Sequence, residues 1–263
     1  MGSGSKGELG LGSSMQVSSP TLIPLFPPRG TRIVHLSSGM GHSVAVLSNG
    51  EVYGWGAARK GQLGERLRRE KTVWSPSKIE DVEDIGVIGG EATCGREFTV
   101  IARKLSLDST MDFCILGSAD NRWNILDAPK EIISGYRSIA ASWHGVYVHL
   151  QNRTLVAWGR NDRGQLPPRD LPPPEQVAVG SEHALALLGD GTVVAFGWGE
   201  HGNCGPETDA RGNVAGRYIR IPIDLENGSV VSGVGAGCAT SWIIAKRRGG
   251  GTTNTDEILV KQA

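Results

Sequence analysis

Short runs of alternating hydrophobic and polar residues, separated by glycine-rich turns, account for most of this chain. In SSGMGHSVAVLSNGEVYGWG (37–56), Val44 and Val46 precede an Asn49-Gly50 pair and Val52 follows it. In AVGSEHALALLGDGTVVAFG (178–197), Leu185 and Leu187 precede Asp190-Gly191 and Val193 follows. A period of two is the signature of a strand, and Asn-Gly and Asp-Gly pairs supply the positive φ that a tight hairpin needs. Both stretches therefore predict strand, turn, strand. Degenerate copies of the same hairpin occur at ATCGREFTVIA (92–102), AASWHGVYVHLQNRTLVAWG (140–159) and GVGAGCATSWIIAK (233–246).

A second pattern lies between the hairpins. FGWGEHGNCG (196–205) superposes on WGRNDRGQLP (158–167), on WGAARKGQLG (55–64), on MGSGSKGELG (1–10) and, weakly, on LGSADNRWNI (116–125). The first glycines fall at Gly2, Gly56, Gly117, Gly159 and Gly197, with spacings of 54, 61, 42 and 38 residues. Such spacings centre in the range of propeller blades rather than of helical solenoids. Five repeats are readable, beginning near 1, 52, 113, 155 and 193, each ordered as Gly-rich turn, variable loop, strand, hairpin and strand. A small sheet of this kind buries its face by stacking on its neighbours, which predicts an all-β fold of β-propeller type over residues 1–248.

Two segments interrupt the pattern. ERLRREK (65–71) is helix-prone; its charges read as a solvated loop, with a nucleic-acid patch as the other reading. The Pro-rich LPPRDLPPPEQ (166–176) reads as a stiff connection, with a ligand for a polyproline-binding domain as its alternative. At the ends, Met1 aligns with the last residue of a strand, so the first repeat lacks its preceding strand. EILVKQA (257–263), after the flexible RRGGGTTNTD, is either the strand that completes the first blade or a disordered tail.

Composition changes this picture little. The 263 residues include 38 Gly and 13 Pro and are 39% hydrophobic, which fits frequent turns around a real core. The 27 Lys and Arg balance 27 Asp and Glu, so no net field steers the chain onto nucleic acid or an anionic membrane. Cys94, Cys114, Cys204 and Cys238 form no CxxC pair and read as free thiols. No signal-peptide pattern and no run of about 18 apolar residues is present, so the expectation is a soluble intracellular protein.

The glycine turns superficially suggest chemistry. His201 and Cys204 form an HxxC half-site that Cys238 could join, but a zinc site needs three or four ligands at recognisable spacing. The alignment puts Cys204 in the place of Leu63, Leu166 and Leu9, an inward apolar position, so the expectation is no metal. No nucleophile elbow, activated cysteine signature or paired carboxylates accompany His201, and no Lys-Ser/Thr or strand-to-helix context makes GWGEHG a phosphate loop. The chain therefore reads as non-catalytic and cofactor-free. His42 and His183 belong to the repeat and read as structural hydrogen-bonding residues. Trp55 and Trp158 end strands and read as core.

What remains are side chains by which the turns differ from one another. Trp198 lies one residue past its strand end, in the position of Arg160 and Ala57, while His201 stands at the turn tip where other repeats have Lys6, Lys60 and Arg163. Aromatic and Arg side chains on a rigid surface suit partner binding. The candidates are Trp198, Glu200, His201, Asn203, Arg160, Trp143 and His144; capping of its own blade is the other reading of Trp198.

The turns WGxNxxGQLG and the GxxHxxAL strands resemble the regulator-of-chromosome-condensation repeat family over nearly the whole chain. That resemblance implies a β-propeller, seven-bladed in the family. GWGEHGNCGP (197–206) and GAGCATSWII (235–244) are similar to the last blade of a branch of the family whose members pair with a small CSL-type zinc protein of diphthamide synthesis. This implies an adaptor in the cytoplasm, with the nucleus also open. It would support diphthamide modification of elongation factor 2 and Elongator-dependent modification of the tRNA wobble uridine. The founding member implies the alternative, guanine-nucleotide exchange on a small GTPase.

Overall fold

The computed structural model describes residues 1–82, 90–104, 111–129, 135–226, 228–247 and 258–262. The chain divides into two compact units, Met1–Val146 and Tyr147–Ala263. In the first, β1 (Gly2–Ser3) and β2 (Gln16–Val17) form a two-stranded antiparallel ribbon. There follow β3 (Ile33–Ser38), β4 (His42–Leu47), β5 (Val52–Ala57) and, after the one-turn helix α1 (Glu65–Arg68), β6 (Thr72–Lys78); these make a four-stranded antiparallel sheet in chain order. Next come β7 (Glu91–Cys94), β8 (Phe98–Lys104) and β9 (Met111–Gly117), a three-stranded sheet. The order continues with β10 (Tyr136–Ala141), β11 (Gly145–Leu150) and β12 (Leu155–Gly159), also three-stranded, and the chain passes from one unit to the other inside β11.

The second unit contains β13 (Pro174–Val179), β14 (His183–Leu188), β15 (Val193–Trp198) and β16 (Asn213–Arg220) as a four-stranded sheet. Its last sheet is β17 (Ser229–Ala236), β18 (Ser241–Arg247) and β19 (Ile258–Gln262). Every sheet is a small meander of neighbours in sequence, the form of a propeller blade. The repeat glycines Gly56, Gly117, Gly159 and Gly197 all lie in or at the end of a third strand. Each of these four repeats thus opens on the third strand of one sheet and runs into the next.

β4 and β14 are buried at all six positions, not at alternate ones. Each is an inner strand covered on both faces, which removes the solvent side that alternation would serve. In the first unit Val44, Ala45, Val46, Trp55, Leu63, Val73 and Ile101 fill one core; in the second Leu185, Val193, Phe196, Cys204, Val214, Val234 and Ile243 fill another. Trp55 is 4% exposed and Trp158 9%, so both strand-end tryptophans sit in cores.

The hairpin turns follow the sequence, with one correction. In each, only the residue after the Asn or Asp has positive φ: Gly50 at 86°, Arg153 at 68° and Gly191 at 85°. Asn49, Asn152 and Asp190 instead accept a hydrogen bond from the backbone N–H two residues on, at 3.2, 2.9 and 2.9 Å. The short polar side chain mimics a turn while glycine absorbs the left-handed conformation. Arg153 does so without being glycine.

α1 departs from the loop reading of 65–71: Leu67 is 4% exposed and anchors one helical turn between charged neighbours. In the tail, Ile258–Gln262 pairs antiparallel with β18, Trp242 opposite Gln262 and Lys246 opposite Ile258. A hairpin partner close in sequence is reached with a shorter loop closure than the far end of the chain. The stretch read as a linker, 249–257, lies outside the described residues.

Candidate partner-binding surface

The glycine turns are held rigid before they can present anything. In the first unit His42 Nε2 lies 2.9 Å from Thr99 Oγ1, and Thr99 Oγ1 donates to Gln62 O at 2.7 Å. In the second, His183 Nε2 lies 3.0 Å from Ser241 Oγ, which donates to Asn203 O at 2.7 Å. A hydroxyl has one proton, and here it goes to the carbonyl, so each histidine must donate from Nε2. Nδ1 is buried in both rings, with the backbone of Phe98 facing His42 and that of Thr240 facing His183. Burial pushes both imidazoles down to about 4, so they stay neutral at physiological pH. Their role is to tie a turn to the next sheet.

The turn at 158–167 is tied differently. Ala184 stands where Thr99 and Ser241 carry hydroxyls, and Tyr147 Oη instead donates to Gln165 O at 2.7 Å. At the first turn, Trp55 Nε1 donates to Glu8 O at 3.0 Å. The same backbone carbonyl is satisfied four times by four different side chains. Sequence alignment placed the turns but not these partners.

On the second unit this frame carries an aromatic and charged cluster. Trp198 ends β15; its backbone N–H donates to Glu182 O at 2.9 Å, and its carbonyl accepts from Asn203 Nδ2 at 2.8 Å. Its indole N–H donates to Glu200 Oε2 at 2.9 Å. His201 meets the ring edge-on, with centroids 5.1 Å apart, and the Arg163 guanidinium carbon lies 4.6 Å from the ring centroid. The Trp198 ring is therefore half-buried by its own turn and by the tip of the preceding one. Arg163 was not singled out as a partner-binding residue, although it shares the tip position with His201.

Beside it Arg160 bonds Asp162 Oδ1 at 2.5 Å and reaches Glu182 Oε1 at 3.3 Å. Gln165 Nε2 donates to Glu182 Oε2 at 2.7 Å. Glu182 is only 4% exposed, and these donors compensate its desolvation. The hydrogen bond from Arg160 holds the Asp162 carboxyl below its ordinary range, and Asp162 raises Arg160 in turn.

The seven candidates do not form one site. Trp198, Glu200, His201 and Arg160 share this cluster. Asn203 is 3% exposed and its side chain braces Trp198, so it is a structural residue of the turn. Trp143 and His144 lie in the first unit, lining a pocket of about 280 Å³ with Lys60, Arg96 and Arg122. Cys204 is fully buried, its thiol directed to Phe196 O at 3.7 Å and pushed up to about 12 by burial. It is a packed thiol at neutral pH. Cys238 is exposed and lends its carbonyl to Ser181 Oγ. Among the described residues no group of three or more His, Cys, Asp or Glu could hold a metal, and no helix is long and apolar enough to cross a membrane.

Small antiparallel blades joined by glycine turns, with a charged and aromatic turn surface, define a repeat-built β-propeller type of chain. Comparison with known proteins specifies the repeat. The regulator of chromosome condensation (RCC1) repeat matches residues 1–46 and 49–102, and a second RCC1 repeat description matches 33–62 and 175–203. This is an RCC1-repeat chain. It is 31% identical over 252 residues to an RCC1 repeat-containing protein of Schizosaccharomyces pombe, covering 92% of this chain and 66% of the relative. It is 26% identical over 226 residues to the secretion-regulating guanine nucleotide exchange factor of Mus musculus, covering 68% of this chain and 47% of the relative. The chain thus spans two thirds or less of the length of these relatives. The crystal structure of Prp20p from Saccharomyces cerevisiae superposes with a TM-score of 0.65 at 22% identity, over 92% of this chain and 65% of that one, a likeness of fold.

Proposed function

We propose that this chain is a non-catalytic adaptor that docks a small folded protein on the Trp198 surface of its second unit. The observation that carries the reading is Trp198 itself. A large amphipathic ring, half-exposed and held by Glu200, His201 and Arg163 on a rigid glycine turn, loses little conformational entropy on binding and suits an interface hot spot. The partner is a small CSL-type zinc protein, as implied by the similarity of 197–206 and 235–244 to the last blade of the killer-toxin-insensitivity propeller, also called alpha-tubulin suppressor. The pair would support diphthamide modification of elongation factor 2 and Elongator-dependent modification of the tRNA wobble uridine. A cytoplasmic location, extending to the nucleus, follows from that role.

A second reading is guanine-nucleotide exchange on a small GTPase, favoured by the 26% identity to a secretion-regulating exchange factor. One experiment separates the two. The purified chain is mixed with the zinc protein on gel filtration and, separately, with GTPases loaded with a fluorescent nucleotide. Co-elution without faster nucleotide release supports the adaptor; faster release without co-elution supports the exchange factor.

A further inference from the structure

We infer a second, independent binding site in the first unit, for a short acidic peptide segment. The pocket of about 280 Å³ is lined by Lys60, Arg96, Arg122, Trp123, Trp143 and His144. Its volume lies just below the range of small-ligand sites, roughly 300 to 1,000 Å³, so it suits one or two side chains rather than a folded domain. The Arg96 guanidinium carbon lies 5.6 Å from the Trp143 ring centroid, and the Arg122 carbon lies 5.1 Å from that of Trp123. Stacking on indole fixes where each guanidinium stands while leaving its N–H groups to bond elsewhere. Among the described residues none of Lys60, Arg96 and Arg122 is in an ion pair. Three cations converge on one pocket that also holds two carboxylates, Glu97 and Asp120, with no ion pair between them among the described residues.

The backbone of the pocket wall is unusual as well. Asn121, Trp123 and Asn124 all have positive φ, at 41, 69 and 55°. A bulky residue such as Trp123 is a rare occupant of that region, and strain of this kind gathers where a fold positions groups for a ligand. It is held here by Asn121, which accepts from Leu126 N at 2.8 Å and donates to Asp127 Oδ2 at 2.9 Å. The Arg96 backbone N–H in turn donates to Trp143 O at 3.0 Å, tying the Arg96–Trp143 pair together through the backbone.

Acidic peptide fits this chemistry better than nucleic acid. Guanidinium groups take carboxylates in a bidentate geometry. Two acidic residues, Glu97 and Asp120, also line the pocket and can accept peptide N–H groups, donors that a phosphodiester backbone does not offer. Both tryptophans have an Arg against the ring, which leaves less open face for stacking bases.

The test is fluorescence anisotropy on the whole chain with three labelled probes. They are a hexapeptide of Glu and Asp around one Phe, the same peptide with Lys in place of the acids, and a six-nucleotide oligouridylate. The acidic peptide should bind, weaken steeply with salt, and lose about tenfold or more in affinity in Lys60→Glu and in Arg122→Glu. Both side chains are exposed, so these variants should fold, which the circular dichroism melt checks. Arg169→Glu, an exposed position in the second unit, should leave the affinity unchanged. Equal or tighter binding of the oligouridylate would overturn the proposal in favour of a nucleic-acid site. Absence of peptide binding, or binding indifferent to both substitutions, would overturn it outright.

Discussion

The two units solve the same backbone problem and then diverge at the surface. His42, Thr99 and Gln62 in the first unit are matched by His183, Ser241 and Asn203 in the second, with hydrogen-bond lengths that agree within 0.1 Å. Gly56 and Gly197 match as closely: a Cβ would stand 2.5 Å from Gly41 O at one and 2.6 Å from Glu182 O at the other, with 2.8 Å to the following histidine Cα in both. Yet the turn tips carry Lys60 in one and His201 in the other, beside different tryptophans. Repetition marks what the fold requires, and departure from it marks where function can differ.

The largest effect should come from breaking the shared frame. Gly197→Ala puts a Cβ against backbone at a φ of 108° and should cost about 3 kcal/mol or more, with Gly56→Ala costing as much in the first unit. Urea denaturation checks both. A loss in one unit only would show that the repeats are not energetically equivalent.

Next comes acid. Both histidines have a folded pKa of about 4 against an ordinary value of 6.5. Between those values the unfolded chain binds more protons than the folded one. Stability is therefore full above about pH 6.5 and falls as pH drops towards 4, by up to roughly 3 kcal/mol per histidine. His183→Gln, measured by thermal melts from pH 7 to 4, should flatten half of that slope. A slope unchanged by the substitution would show that His183 titrates normally.

Removing a hydroxyl is milder. Ser241→Ala or Thr99→Val leaves an imidazole N–H and a carbonyl unpaired and should cost about 1 to 3 kcal/mol in each unit. The Tyr147→Phe change at the alternative tie should cost about 1 kcal/mol through loss of the hydrogen bond to Gln165 O. Smallest, and opposite in sign, Arg153→Gly should stabilise by up to about 1 kcal/mol by relieving a left-handed non-glycine turn, less whatever its contact with Glu175 contributes. Chemical denaturation of the four variants in parallel orders these effects.

The all-β class, the hairpins and the inward place of Cys204 were legible because each is written in contiguous residues: an alternation, an Asn-Gly or Asp-Gly pair, a leucine position. The histidine-to-hydroxyl ties were not, because the partners lie 57 and 58 residues apart and Thr99 carries no local mark of its role. Arg163 escaped for the same reason, since its meeting with Trp198 joins two turns. Asn203 looked like a surface residue because it breaks the Gln of its sibling turns, but its shorter amide reaches back to Trp198 O and buries itself. The tail was legible only as a choice between a strand and a disordered end, because a short β-type run after a Gly/Thr-rich stretch does not name its partner; it pairs with β18.

The central claim is that the tip residues of the second unit, and not the repeat frame, bind the partner. Isothermal titration of the CSL-type zinc protein into the wild-type chain and into Trp198→Ala tests it, with the melting temperature of each as control. The account predicts a loss of about 2 kcal/mol or more in binding for Trp198→Ala, at nearly unchanged stability. Equal affinity for the two chains would contradict it.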